Sequence, residues 1–276
     1  MNLSNRILRA VAIVAGSAAP AAAQSDPSLY DFVYNIGTPP AGSTFDINDN
    51  DIPGVLTNGT QVGDGDTFFQ TQPISPRVLN GDTLGSNSQL NLFDGGEILR
   101  GFSTGVGSGI ELNVLGGVVG SNFNANGGST VNISGGAVGN DYFANRDSTT
   151  NISGGTTSGN FTSLSGTVNI AGGTFDGDFN AVGGEVNLFG SEFFVDGVEL
   201  TDLQLDRGFV IRERGVTLSG LLADGSAFEF DVTDDLFSAT DFFDSTTIVT
   251  VTLVPAPPAS GVMALIGIVA VRRRRG

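Results

Sequence analysis

Apolar residues alternate with a single asparagine in a series of short segments through the middle of the chain. The central asparagines are Asn91, Asn113, Asn132, Asn151, Asn169 and Asn187, separated by 22, 19, 19, 18 and 18 residues. Alternation with a period of two is typical of a β-strand, in which successive side chains point to opposite faces. We therefore predict that the flanking Val, Ile and Leu residues face a core and that the asparagines face outward.

Two further columns keep step with these asparagines. Paired glycines follow three and four residues later, and an aromatic residue follows ten residues later, in four successive units. The columns comprise Gly116-Gly117, Gly135-Gly136, Gly154-Gly155 and Gly172-Gly173, and then Phe123, Tyr142, Phe161 and Phe179. Because glycine tolerates a positive φ, the pairs predict a bend. The aromatic residues predict a core stack on a second short strand, with a ligand platform as the alternative.

A repeat of this length with no helical period predicts an all-β fold. One unit of about 18–22 residues cannot bury its own apolar side, whereas stacked units share a continuous core. We expect a parallel β-helix, or solenoid, with right-handed winding. Six coils at a spacing of about 4.8 Å would make a rod of about 25 to 30 Å.

The segments on either side of the repeat region, which spans residues 89–191, are expected to cap it. Residues 24–88 are acidic and rich in loop-forming residues, which indicates an N-terminal cap. In residues 192–254, Asp196-Gly197 and Asp224-Gly225 stand between apolar runs, a pattern that predicts β-hairpins. We expect this segment, including a final strand from Ile248 to Leu253, to be an antiparallel β cap over the open edge of the solenoid.

The N-terminus has the pattern of a secretory signal peptide. Residues 1–23 combine two arginines with an apolar stretch and a run of alanines. The small residues Ala21 and Ala23 predict cleavage before Gln24.

The C-terminal segment, residues 255–276, has three parts in a fixed order. These are Pro255-Ala256-Pro257, an apolar run over 259–271, and the cluster Arg272, Arg273, Arg274 and Arg275. A helix over the apolar run would be about 20 Å long, which is shorter than the membrane core of about 30 Å. Four arginines resist transfer across a membrane, so the body of the protein is expected on the outer side.

This tail resembles the PEP-CTERM sorting signal of bacterial exosortase substrates. One difference is that the Pro-Glu-Pro of that family is Pro255-Ala256-Pro257 here. The resemblance implies an exosortase-type sorting enzyme and the secretion machinery as partners, and transient anchoring in the inner membrane by a short transmembrane helix. It also implies delivery to the cell surface or the extracellular space. A plain membrane anchor is the alternative.

The repeat units, such as Val131-Asn132-Ile133-Ser134-Gly135-Gly136, also resemble those of bacterial surface proteins that carry this kind of tail. Autotransporter adhesins use similar solenoid units. Both resemblances imply a surface or matrix protein whose solenoid is a scaffold or adhesive module.

The amino-acid composition excludes several kinds of catalytic and metal-binding site. The chain has no Cys, His, Trp or Lys, which excludes disulfides, thiolate and imidazole metal sites and the Ser-His-Asp triad. The body between the two sorting segments holds all 29 acidic residues and six of the twelve arginines, a net charge of −23 against −17 for the whole chain. Such a body repels nucleic acid, so we expect no nucleic-acid partner.

Two groups of polar residues are candidates for binding. Threonine and serine flank the outward asparagines, and this flat face could bind a sugar polymer or ice. Alternatively, its side chains bond only to their copies in neighbouring coils. The second group is Asp46, Asn48, Asn50 and Asp51, which has the oxygen spacing of a calcium loop. It lacks the loop's glycine and its terminal glutamate, so a solvated surface loop is the simpler interpretation and no other cofactor is expected.

Catalysis has one candidate set. Asp176 and Asp178 come near Asp141 in coil register, and a pair of carboxylates suffices for glycoside hydrolysis. No acidic column is shared by adjacent coils, and the long loops that form a substrate groove are missing. We therefore expect a non-enzymatic protein, with a polysaccharide-binding or polysaccharide-cleaving β-helix protein as the alternative.

Overall fold

The computed structural model describes residues 24–30, 32–37, 61–62, 88–98, 105–235 and 241–256. Regular structure in these ranges is β-strand, apart from one short 3-10 helix at Pro27–Leu29. Within the same ranges there is no helix long and apolar enough to cross a membrane.

The strands are numbered in chain order. They are β1 Phe32–Ile36, β2 Gln61–Val62, β3 Ser88–Leu92, β4 Glu97–Ile98, β5 Gly105–Val106, β6 Ile110–Val114, β7 Val118–Val119, β8 Asn124–Ala125, β9 Thr130–Ile133, β10 Ala137–Val138 and β11 Tyr142–Asn145. They continue as β12 Thr149–Thr157, β13 Phe161–Leu164, β14 Thr167–Phe175, β15 Phe179–Val182, β16 Glu185–Val195, β17 Val198–Glu199, β18 Gly208–Ile211, β19 Val216–Leu222, β20 Ala227–Val232, β21 Phe242–Phe243 and β22 Ile248–Leu253.

These strands wind into a parallel β-solenoid, as the repeat predicts. Eight parallel strands stack along one face, which we name the ladder face: β1, β3, β6, β9, β12, β14, β16 and β22. A second face is formed by β2, β4, β7 and β10 and by the ends of β12 and β14. The third, the aromatic face, comprises β5, β8, β11, β13, β15 and β21. Seven steps of about 4.8 Å make the ladder face about 34 Å long. The right-handed winding stays a prediction.

The glycine pairs turn the chain from the ladder face to the second face. The second glycine of each pair has a positive φ, for example +69° at Gly136. A Cβ on Gly136 would lie 2.5 Å from the carbonyl oxygen of Gly116 in the preceding coil. Both the backbone conformation and the close stacking of coils therefore require glycine at this position.

The aromatic column is a buried stack, as predicted. Ring centroids are 5.8 Å apart between Phe123 and Tyr142, 4.8 Å between Tyr142 and Phe161, and 5.0 Å between Phe161 and Phe179. All four side chains are fully buried, and the Tyr142 hydroxyl is 2.9 Å from the Thr150 hydroxyl. The ligand-platform alternative is therefore wrong for this column.

The stack of coils extends into both flanking segments. β1 pairs in parallel with β3 and places Asn35 opposite Asn91, so the segment expected to be an N-terminal cap supplies a strand of the solenoid. At the other end β22 pairs in parallel with β16, and β21 with β15. Phe243 of β21 thereby adds a fifth ring to the aromatic stack, 5.6 Å from Phe179.

Antiparallel strands are found at the C-terminal end, as expected, but they form an insertion before the last coil. β17 and β19 pair with β16, and β20 pairs with β19. Asp196 and Gly197 both have a positive φ and form the two-residue hairpin loop between β16 and β17. β18 lies antiparallel on β22 and covers the edge that the last coil would otherwise expose. The final strand Ile248–Leu253 therefore belongs to the stack, and the covering strand is Gly208–Ile211.

Candidate functional site

The outward asparagines form one continuous ladder of side-chain hydrogen bonds. The Nδ2 of each residue donates to the Oδ1 of the asparagine in the preceding coil. The distances are 2.9 Å from Asn113 to Asn91, 2.8 Å from Asn132 to Asn113, 2.8 Å from Asn151 to Asn132, 2.8 Å from Asn169 to Asn151 and 3.0 Å from Asn187 to Asn169. Asn91 in turn donates to Asn35 at 3.2 Å. The asparagines thus bond to their own copies, which occupies one donor and one acceptor of each internal amide.

The N-terminal end of this ladder is covered by residues 24–30, which we name the N-terminal strap. Gln24 Nε2 donates to Asn91 Oδ1 at 2.7 Å, and Gln89 Nε2 donates to the Ser25 carbonyl at 2.8 Å. Asn91 and Asn113 are fully buried. The residue that follows the predicted signal cleavage site is therefore in direct contact with the solenoid.

The strap is held by a buried carboxylate that the sequence analysis missed. Glu111 is 4% exposed and accepts hydrogen bonds from Ser25 N at 3.1 Å, Ser25 Oγ at 2.6 Å, Tyr30 Oη at 3.0 Å, Gln89 Nε2 at 2.9 Å and Asn113 Nδ2 at 2.8 Å. None of these donors is charged. Burial is the main cause that raises the pKa of Tyr30, and the nearby carboxylate raises it further, so the phenol stays protonated as a donor.

A sequence signal for Glu111 exists in hindsight. It stands two residues before Asn113, where the next three coils have threonine, at Thr130, Thr149 and Thr167. An acidic residue in a column of threonines indicates that a specific partner faces it in the fold. The sequence does not show that this partner is Ser25, which lies 86 residues away along the chain.

The turn between β19 and β20 lies against the glycine pair of β14, beside the ladder face. Asp224 Oδ2 accepts from Gly173 N at 2.9 Å, and Asp224 N donates to the Ala171 carbonyl at 3.1 Å. Ala171 and Phe189, which point outward in the ladder register, pack under Val254. Along the ladder, Asn91, Asn113 and Asn132 are buried, whereas Asn151, Asn169 and Asn187 are half-buried.

The acidic residues that the sequence singled out for catalysis lie in the connections that precede β11 and β15. Asp176 and Asp178 are exposed, and Asp141 is half-buried with a φ of +61° at the start of β11. Across the part of the chain that the structure describes, no group of three or more acidic side chains could hold a metal ion.

A further carboxylate near Asp178, also missed from sequence, acts as a structural brace. Asp241 Oδ1 accepts from Phe179 N at 2.6 Å, and its Oδ2 accepts from Asp231 N at 2.9 Å. Burial raises the pKa of Asp241, and the negative charges of Asp178 and Asp231 add to this effect. With both oxygens bonded to backbone amides, the side chain joins β15, β20 and the start of the last coil.

The described part of the chain reaches into the predicted sorting motif. Val254 is buried and its N–H donates to the Gly190 carbonyl at 2.8 Å, whereas Pro255 and Ala256 are exposed. The other residues of the predicted sorting and calcium sites lie outside the described residues: Ala21, Ala23, Asp46, Asn48, Asn50, Asp51, Pro257, Arg272, Arg273, Arg274 and Arg275.

Comparisons with protein-family models, with curated proteins and with solved structures find no match to this chain.

Proposed function

We propose that the protein is exported and that its solenoid acts as a non-enzymatic scaffold or adhesive module at the cell surface or in the extracellular matrix. One observation carries the proposal. Gln24, the residue after the predicted signal cleavage site, is bonded to the asparagine ladder, and Val254, directly before the Pro motif, is buried against the last coil.

These two positions are consistent with removal of the predicted signal peptide and of the predicted sorting tail. Gln24 and Ser25 hold the ladder face through side-chain and backbone contacts, so the strap belongs to the folded body rather than to a removable leader. Pro255 and Ala256 are exposed, so a sorting enzyme has access to the motif without unfolding the last coil. An exosortase-type enzyme and the secretion machinery are the proposed partners, with the inner membrane as a transient anchor.

The polar groups of the body support a scaffold role. The outward asparagines are joined in a ladder, Glu111 holds the strap, and Asp241 holds three elements together. These internal contacts join neighbouring coils and flanking segments and stiffen the solenoid. The net charge of −23 of the body favours solubility outside the cell and opposes binding to nucleic acid.

Cell fractionation with paired variants tests this proposal. Replacing Arg272–Arg275 by glutamine removes the charge that we expect to hold the tail on the cytoplasmic side, and the protein should then be lost from the surface fraction. The control is Arg207→Gln with Arg212→Gln, two body arginines outside the tail, which should leave the protein at the surface. Surface delivery that is the same for both variants would contradict the sorting role of the tail.

A further inference from the structure

The aromatic face presents a second, outward row of side chains with a different chemistry from the ladder face. Because side chains alternate along a strand, the residues next to the buried rings point outward. Strand register aligns five of them in one row, which we name the outer row: Asn124, Phe143, Thr162, Asn180 and Phe242.

The two phenylalanines of the outer row are large apolar side chains that the core does not fully bury. Phe143 and Phe242 are only half-buried, and neither has a ring partner among the residues that the structure describes. Next to the row, Leu164 is 39% exposed and Val182, paired with it, is 42% exposed. A surface that combines these apolar groups with amides marks a binding face rather than a solvated one.

The amides beside the outer row are held in position. Asn145 Nδ2 donates to Asn126 Oδ1 at 3.0 Å and lies 3.4 Å from Asn124 Oδ1. These bonds fix the amides beside Phe143, and Thr162 and Asn180 supply a hydroxyl and an amide between the two rings of the row.

We infer that the aromatic face binds an extended, neutral polysaccharide. Each sugar ring has an apolar C–H face that packs on an aromatic ring and a rim of hydroxyls that bonds to amides and hydroxyls. Neighbouring strands are about 4.8 Å apart, which is close to the length of one sugar ring in an extended chain. Phe143 and Phe242 are three strands apart, about 14 Å, so one polymer chain running along the solenoid axis would contact both rings.

Charge argues against two other occupants of this face, an anionic polymer and a second copy of the chain. Asp141 and Asp178 stand immediately before β11 and β15, and Asp244 stands immediately after β21, so an anionic polymer would be repelled. A second copy of the chain would bring another body of −23 charge against the same face. The inference rests on the proposed adhesive function, for which it names the ligand.

Retention of the purified mature protein on insoluble polymers tests the inference. The probes are amorphous cellulose, curdlan and insoluble xylan as neutral polymers, with chitosan as a cationic one. We expect binding to at least one neutral polymer that persists at high salt, because stacking on aromatic rings is not screened.

The matched variant is Phe143→Asn with Phe242→Asn, which extends the asparagines already present in the outer row. Its control is Val198→Asn, at a 53% exposed residue of the insertion. The double variant should lose at least tenfold in affinity while its thermal unfolding stays cooperative, and the control should bind as the wild type does.

Three outcomes would overturn the inference: no retention on any neutral polymer, equal retention of the double variant, or binding to chitosan alone that salt abolishes. Self-association in sedimentation that the double variant removes would also overturn it, since the face would then be a contact between copies. The surface fraction of the double variant is measured in parallel. If the double variant reaches the surface normally, its loss of binding is informative about the ligand alone. If the wild type does not reach the surface, the proposed function is wrong whatever the ligand.

Discussion

The Ser25 hydroxyl donates a 2.6 Å hydrogen bond to the carboxylate of Glu111, a residue 86 positions further along the chain and almost completely buried. This contact joins the strap behind the predicted signal peptide to the second of the described coils that carry the repeat. Because the carboxylate receives five uncharged donors, its loss would leave several buried polar groups without a partner.

Replacing Glu111 by alanine is therefore expected to destabilise the protein by roughly 3 kcal/mol, since a buried charge-assisted network is broken. Ser25→Ala removes only one of the donors and should cost about 1 kcal/mol. Urea unfolding of both variants measures the two values. Equal midpoints for Glu111→Ala and the wild type would show that the strap is not held by this carboxylate.

The asparagine ladder should be most sensitive at its buried positions. Asn132→Ala leaves the Oδ1 of Asn113 and the Nδ2 of Asn151 without their partners, and we expect a loss of about 2 kcal/mol. Asn187→Ala breaks one ladder bond at the last asparagine, next to Thr250, and should cost about 1 kcal/mol. The comparison is again made by urea unfolding. If both variants unfold as the wild type does, the ladder contributes nothing to stability.

An acidic residue in the inward column should abolish cooperative unfolding. Ile152 is 3% exposed and lies between Ile133 and Ile170 in the stack. Ile152→Asp would bury an unpaired charge at a cost of more than about 4 kcal/mol. Ser153→Asp, one residue away on the outward side, is the control and should retain a sharp thermal transition by circular dichroism. A normal melt of Ile152→Asp would contradict the inward assignment.

The pH dependence of stability should depend on Asp241. Burial raises its pKa in the folded protein above the ordinary value of 3.8, so the folded state takes up this proton at a higher pH than the unfolded state does. The ionised side chain therefore opposes folding at neutral pH, and this opposition is relieved as the pH falls through the raised pKa.

We accordingly expect the wild type to gain stability relative to Asp241→Asn as the pH is lowered from 7 to 4. Melting temperatures of both proteins across this range give their difference in stability at each pH. The contributions of the other titrating groups are the same in both proteins and cancel in this difference. Asp176→Asn, at an exposed residue, is the control. The pKa assignment is wrong if the difference between wild type and Asp241→Asn is constant with pH.

The solenoid could be predicted because its determinants are local and repeated. The apolar-Asn-apolar strand, the glycine pair and the buried ring recur in each unit, so their columns are visible without any long-range information. Asn35 obeys the same rule within Tyr34-Asn35-Ile36, which places the chain's first described strand in the ladder.

The parts that could not be predicted depend on contacts between distant residues. The alternation from Ile248 to Leu253 is the same for a parallel or an antiparallel strand, and its pairing with Glu185–Gly190 follows only after the insertion is folded. For the same reason Phe243 joins the ring stack far from its expected position in the repeat. The N-terminal strap has no periodic pattern, and its position is set by Glu111 rather than by its own sequence.

The most direct test of the account is the intact mass of the protein recovered from the cell surface. We predict a chain that begins at Gln24 and lacks Arg272–Arg275, with the body through Val254 intact. A surface protein that retains these four arginines would contradict the account, because its tail would then be a permanent anchor and not a sorting signal.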